Sequence, residues 1–283
     1  NLLLEKFAKF DNKCLKIYVA GPALASGKSM MCLALLDVLQ TQLNLKPSEI
    51  AYIKPCTQCT AIQLVSKYCC LKGIKCRAIG PIVFYKGFTK ECVEGLHSIE
   101  DNRQKISDAI SKLEKGRRVL VIDGVGYPAV GSICGVGGGD VASLLSSPVL
   151  LVGKDGLGDA VDSYNLCSTY FESFHVRVLG AIFNRVRKYG FEYSKTHIST
   201  YFSKYLSNVA RPYGFLPEVE NKVAHTFQSC SGASEVCNIV HTKKNLQLSS
   251  DEQSYLKDWL ETFYKHVDTT LLLNDWMDSY LKR

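Results

Sequence analysis

The 283 residues contain no apolar run approaching the roughly 18 that a membrane-spanning helix needs, so no membrane partner is expected. The opening Asn1-Leu2-Leu3-Leu4-Glu5-Lys6 is too short in apolar residues for a signal peptide. The sequence starts at Asn1 without an initiator methionine, which leaves room for a removed targeting segment. The six histidines are scattered without metal-ligand spacing, and His97, His175 and His197 read as surface or packed residues. No Ser-His-Asp arrangement and no internal repeat is evident. No Asp or Glu occurs from Lys54 through Lys90.

What is present is an ordinary globular composition, 46% hydrophobic and 22% charged, long enough to bury a core without covalent staples. The net charge of +7 suits an anionic ligand and equally a surface of solvated lysines, and no nucleic-acid partner is inferred from it. Twelve cysteines is a high count, but Cys14, Cys32, Cys134 and Cys167 stand alone in apolar surroundings, as small buried thiols do. A cytoplasmic or other reducing compartment is therefore expected. Cys56-Thr57-Gln58-Cys59, with Cys69, Cys70 and Cys76, has part of the look of a zinc site. It lacks the second CxxC or the His pair that such sites use.

Hydrophobic patterning alternates along the chain. Strands are predicted at 15–20, 51–53, 119–123, 148–152, 176–183 and 210–216, and helices at 28–43, 60–71, 98–115, 141–145, 159–174 and 194–206. Gly116 reads as the stop of the 98–115 helix. Strands alternating with helices imply a parallel sheet wrapped on both faces, over residues 1–220. Residues 220–250 are polar and irregular. From Asp251 the pattern becomes one or two amphipathic helices, with Leu256, Trp259, Leu260, Phe263, Tyr264 and Val267 on one side. Residues 221–283 thus read as a helical extension packed on the main domain.

The chemistry concentrates at Gly21-Pro22-Ala23-Leu24-Ala25-Ser26-Gly27-Lys28-Ser29, which follows a predicted strand and opens a predicted helix. A polyphosphate needs inward backbone N–H groups, a helix N-terminus and a cation, and this junction offers all three. Lys28 is placed for the terminal phosphates and Ser29 for magnesium, so ATP and Mg2+ are the expected ligands. The loop is one residue longer than the commonest form. Magnesium also needs an oxygen from a neighbouring strand end, and Asp123, closing the Val119–Ile122 run, is the candidate. Gly135-Val136-Gly137-Gly138-Gly139-Asp140 follows no clear strand and reads as a flexible loop near the site, with Asp140 as the cap of the next helix.

The ordered set of that loop, Lys54-Pro55, Asp123-Gly124-Val125-Gly126, Pro148–Val152, Gly180–Val186 and Gly214-Phe215-Leu216-Pro217 resembles dethiobiotin synthetase. It is similar also to the dethiobiotin synthetase-like N-terminal domain of some phosphotransacetylases. The resemblance covers about residues 15–220. It implies a homodimeric, parallel α/β P-loop NTPase-like fold and an ATP-dependent ligase that phosphorylates a carbamate or carboxylate on a small substrate before ring closure. On this resemblance Gly21, Ser26, Gly27, Lys28 and Ser29 hold the phosphates, and Ser29 and Asp123 hold the metal. Lys54 steadies the transferring phosphoryl group, Asn184 contacts the adenine, and Gly214 to Pro217 forms the wall beside it.

Departures lie in the loop, where Pro22, Ala23 and Leu24 replace polar residues of the synthetase, and after Pro55, where its second metal carboxylate has no counterpart. A nucleotide-binding regulatory module without turnover is the alternative reading. An amidating ligase resembling cobyrinic acid amide synthases would need a glutamine-hydrolysing domain for which the chain has no room. The acid-free stretch around Lys67, Lys72, Lys75, Arg77, Lys86 and Lys90 favours an anionic substrate, or is simply a solvated basic face.

Overall fold

The apolar runs become strands because each is buried on both faces. In the computed structural model, which describes residues 2–11, 13–58, 61–207, 209–219 and 246–281, they form one seven-stranded parallel sheet. In chain order the elements are α1 (Leu2–Ala8), β1 (Leu15–Ala20), α2 (Lys28–Gln42), β2 (Ile50–Ile53), β3 (Cys56–Thr57), α3 (Leu64–Lys72), β4 (Lys75–Arg77), β5 (Ile82–Val83), α4 (Phe88–Val93) and α5 (Ile99–Glu114). There follow β6 (Val119–Asp123), α6 (Gly138–Leu144), β7 (Val149–Gly153), α7 (Leu157–Glu172), β8 (Val178–Val186), α8 (Phe191–Tyr205), β9 (Arg211–Pro217), α9 (Ser250–His266) and α10 (Thr269–Leu281). The sheet order is β4-β2-β6-β1-β7-β8-β9, and β3 pairs with β5 as a separate two-stranded ribbon.

Alternate side chains of each strand feed two cores. Leu15, Ile17 and Val19 of β1 join α1, α2, α3, α9 and α10 on one face. Tyr18 and Ala20 join α5, α6, α7 and α8 on the other. The expected parallel α/β architecture with helices on both faces and additional C-terminal helices is what the chain forms.

Helix ends follow their local chemistry. Ser98 caps α5 by accepting the Asp101 N–H at 3.0 Å, and Gly116 takes a left-handed φ of 70° just past its end. The Gly135–Asp140 segment corrects the expectation of a flexible loop. Gly135 to Gly139 are buried, and α6 already begins at Gly138; Gly138 and Gly139 pack against the Pro128 carbonyl and the Phe174 ring, where a Cβ does not fit. Asp140 is not the cap but lies three residues after it. Its carboxylate accepts the Gly137 N–H at 3.1 Å and pairs with Arg103 at 2.6 Å.

The helices α9 and α10 lock onto the sheet through specific contacts. Trp276 Nε1 donates to the Lys16 carbonyl at 2.8 Å, and Tyr280 Oη donates to the same carbonyl at 2.7 Å. Gly214 of β9 bridges to Val267, at the end of α9, in antiparallel fashion. Of the side expected to be apolar, Leu256, Trp259, Phe263 and Val267 are buried, Leu260 packs against them, and Tyr264 reaches Asp37 of α2 at 2.7 Å. The polar stretch at 220–250 lies outside the described residues up to 245. Among the described residues, no helix is long and apolar enough to cross a membrane.

Candidate functional site

Strand register builds the site before any side chain is considered. Asp123, last residue of β6, is opposite Val19 of β1, two residues before the loop opens at Gly21. Ile53 of β2 is opposite Ile122, so Lys54 emerges beside Asp123. The first loop, the Lys54 segment and the acidic strand end therefore converge at the carboxyl ends of three adjacent strands, where open parallel sheets bind their ligands.

The side chains form one network. Asp123 is fully buried, and its Oδ2 accepts from the Ser29 hydroxyl at 2.6 Å, from the Tyr52 hydroxyl at 2.8 Å and from Lys54 Nζ at 3.1 Å. Its Oδ1 is buried with no hydrogen-bond partner among the described residues. Gln63 Oε1 lies 3.3 Å from the Ser29 hydroxyl. The Tyr52 phenol is held well above its ordinary pKa by burial and by the neighbouring Asp123 charge, so it serves as a donor only.

Lys28 is 5% exposed, and its ammonium donates to the loop's own carbonyls, Ala23 at 2.6 Å and Leu24 at 3.2 Å. Burial lowers its pKa to about 8, with Asp123 opposing that shift, so it remains a cation at neutral pH. Leu24 of the loop is 68% exposed and lines the cleft.

Gly27 caps α2 with φ 99°, a conformation that any other L-residue adopts only under strain. A methyl there would also overlap the Asn184 side-chain nitrogen. Gly27→Ala is accordingly expected to cost about 1–3 kcal/mol of stability and to weaken ATP binding. Asn184→Ala in the same chain relieves the overlap but not the φ strain, so thermal melts of the double variant should recover only part of the loss.

Of the residues singled out from the sequence, Gly21, Ser26, Gly27, Lys28, Ser29, Lys54 and Asp123 come together here. Asn184 is buried and donates to the Ser26 carbonyl at 2.9 Å, so its amide braces the loop. Pro217 ends β9 opposite Val186, and Gly214 is covered by His266 and Val267. The cleft itself has a volume of ≈ 440 Å³ and runs from Lys54 and Gly124 past Lys28 to Arg185 and Tyr255.

Tyr52, Gln63, Arg185 and Tyr255 were not singled out from the sequence. Tyr52 was within reach, since residues two apart on a strand share a face and Tyr52 precedes Lys54 by two. The basic stretch is partly answered by contacts: Lys67 pairs with Glu252 of α9 at 2.7 Å, and Lys72 lies over the ring of Tyr68 within α3. Cys59 lies outside the described residues. Among those described, no group of three His, Cys, Asp or Glu side chains is placed to hold a metal, and the cysteines are free thiols.

Residues 15–227 match the family model described as AAA domain, a family that includes dethiobiotin synthetase. No curated protein matches the chain. Among solved structures, cell division protein FtsY from Thermotoga maritima is similar at 15% identity and TM-score 0.43, over 77% of this chain and 69% of that one. The MinC:MinD cell division protein complex from Aquifex aeolicus is similar at 15% identity and TM-score 0.43, over 75% and 84%. A GTPase from Pyrococcus abyssi is similar at 13% identity and TM-score 0.41, over 67% and 74%.

Proposed function

The chain belongs to this AAA domain family and is a P-loop NTPase-type nucleotide-binding domain, and from that premise we propose that it is an ATP- and Mg2+-dependent enzyme of the dethiobiotin synthetase type. The reaction is phosphorylation of a carbamate or carboxylate on a small substrate. The observation that carries this reading is the contact of Lys54, just past the end of β2, with the same Asp123 that holds the phosphate-loop hydroxyl Ser29.

The residues divide the work by position. Lys28 exchanges its loop carbonyls for phosphate oxygens. Ser29 and Asp123 fit a hard divalent cation: they offer two adjacent oxygens, one carboxylate oxygen is buried without a partner, and Gln63 brings a third oxygen nearby. Mg2+ keeps several waters and phosphate oxygens, so a small protein ligand set suffices, and its chemistry there is neutralisation of phosphate charge. Lys54 then faces the acceptor end and stabilises charge on the transferring group. Phosphoryl transfer requires mainly positioning and charge neutralisation, and no nucleophilic side chain is needed.

Purified protein with Mg2+, ATP and bicarbonate is expected to release ADP when one of a panel of small diamino acids is added. ATP binding without ADP release across that panel would leave the second reading, a regulatory nucleotide-binding module. That reading is favoured by the absence of a second acidic ligand beside Ser29 and Asp123 among the described residues. Absence of ATP binding in a calorimetric titration would defeat both.

A further inference from the structure

We propose that α9 supplies a nucleobase-stacking slot, with the base lying between the Tyr255 ring and the Arg185 guanidinium; this rests on the nucleotide reading above. The order of strands gives the cleft a direction. Lys54 and Asp123 stand on the β2 and β6 side of the phosphate loop, and they gather the groups that act on a terminal phosphate. Arg185 stands on the opposite side, on β8, two strands from β1 and hence about 10 Å away at the usual strand spacing. A nucleoside triphosphate with its last phosphate toward Lys54 carries its base toward β8.

The backbone of β8 is shaped to offer Arg185 to that end of the cleft. Its pairing with β9 shifts register between Phe183 and Val186, and Arg185 adopts φ 57°, uncommon for a bulky residue. Such bulges re-aim a side chain. Here Asn184 turns inward to the Ser26 carbonyl while Arg185 turns outward, exposed, to line the cleft. Arg185 forms no ion pair with a described residue.

Tyr255 reaches the same cleft from α9, outside the residues that match the family model. It is half-buried, and it lines the cleft together with Arg185; burial raises its phenol pKa and the Arg185 charge opposes the rise. Glu252, one helical turn before it, is tied to Lys67 of α3 by two hydrogen bonds of 2.7 and 2.9 Å, and its own carboxylate also accepts the Ser249 N–H at 2.9 Å. The turn of α9 that carries Tyr255 is thus fixed against the main sheet. Leu24, Ala25, Met30 and Leu64 add apolar surface to the lining of the same cleft. An aromatic ring and a guanidinium plane over an apolar floor suit the flat face of a purine.

Calorimetric titration with MgATP and with magnesium tripolyphosphate, which has the phosphates but no base, separates this slot from the phosphate loop. Tyr255→Ala is expected to weaken MgATP about tenfold or more while leaving tripolyphosphate affinity unchanged. Tyr255→Phe, which keeps the ring, should bind MgATP like the unaltered protein. Unchanged MgATP affinity in Tyr255→Ala overturns the slot, as does parallel loss of both ligands, which would mark a structural role only. If the unaltered protein binds tripolyphosphate as tightly as MgATP, the base has no site and the slot fails while the phosphate loop stands. If it binds neither, the nucleotide reading itself fails.

Discussion

Lys28→Ala is expected to lower MgATP affinity by about a hundredfold or more, because two charge-assisted hydrogen bonds to phosphate are each worth roughly 1.5–3 kcal/mol. The loss has a second source in the unliganded loop. The Lys28 ammonium spans the Ala23 and Leu24 carbonyls and lies 3.3 Å from Ser26 Oγ, so it shapes the arch that presents the backbone amides. Without it, binding must also order the loop. Lys28→Arg should not restore affinity, since a planar fork does not replace a compact ammonium inside this arch. Titration calorimetry with MgATP reads the effect directly, and a Lys28→Ala variant that binds like the unaltered protein would remove the loop from the mechanism.

Lys54→Ala is expected to behave differently, with turnover down by about 10²–10³ and MgATP affinity within a few-fold of the unaltered protein. Lys54 follows β2, and its ammonium donates to Asp123 at 3.1 Å and to the Ser29 hydroxyl at 3.4 Å, with no bond to a loop carbonyl among the described residues. Its removal also leaves a fully buried carboxylate short of its cation, at a cost of roughly 3–5 kcal/mol. Thermal melts should therefore fall by roughly 10 °C, with MgATP still raising the melting temperature. ADP release and ATP titration on the same preparation separate the effects. Equal loss of ATP affinity in the Lys28 and Lys54 variants would contradict the division of labour.

The sheet was legible because parallel strands buried on both faces are continuous apolar runs. Val119–Asp123 and Leu15–Ala20 declare themselves in that way, and each delivers a chemical residue at its carboxyl end. The edge strand β4 and the ribbon strands were not legible, whereas the other edge, β9, was read at 210–216. Lys75–Arg77 is a short, partly exposed edge strand with two cations, and Cys56–Thr57 pairs with Ile82–Val83 across a separation that no local period reveals. The Gly135–Asp140 segment was misread because glycine signals either freedom or close approach, and only the Phe174 ring and the Pro128 carbonyl decide between them.

The same limit applied at the site. Lys28, Ser29 and Asp123 follow from strand–loop–helix chemistry, but Gln63 and Arg185 enter through a helix start and a strand bulge that leave no pattern in the sequence. Tyr255 belongs to a helix whose amphipathic face was evident, although Arg185, which lines the same cleft, lies seventy positions earlier on the chain.

The two bonds from Trp276 and Tyr280 to the Lys16 carbonyl have an implication for biosynthesis. The apolar face that β1 shares with α2 is sealed by side chains translated some two hundred and sixty codons after it. A nascent chain emerging from the ribosome therefore carries that greasy surface uncovered until those codons are read, the interval in which a holdase chaperone has something to grip.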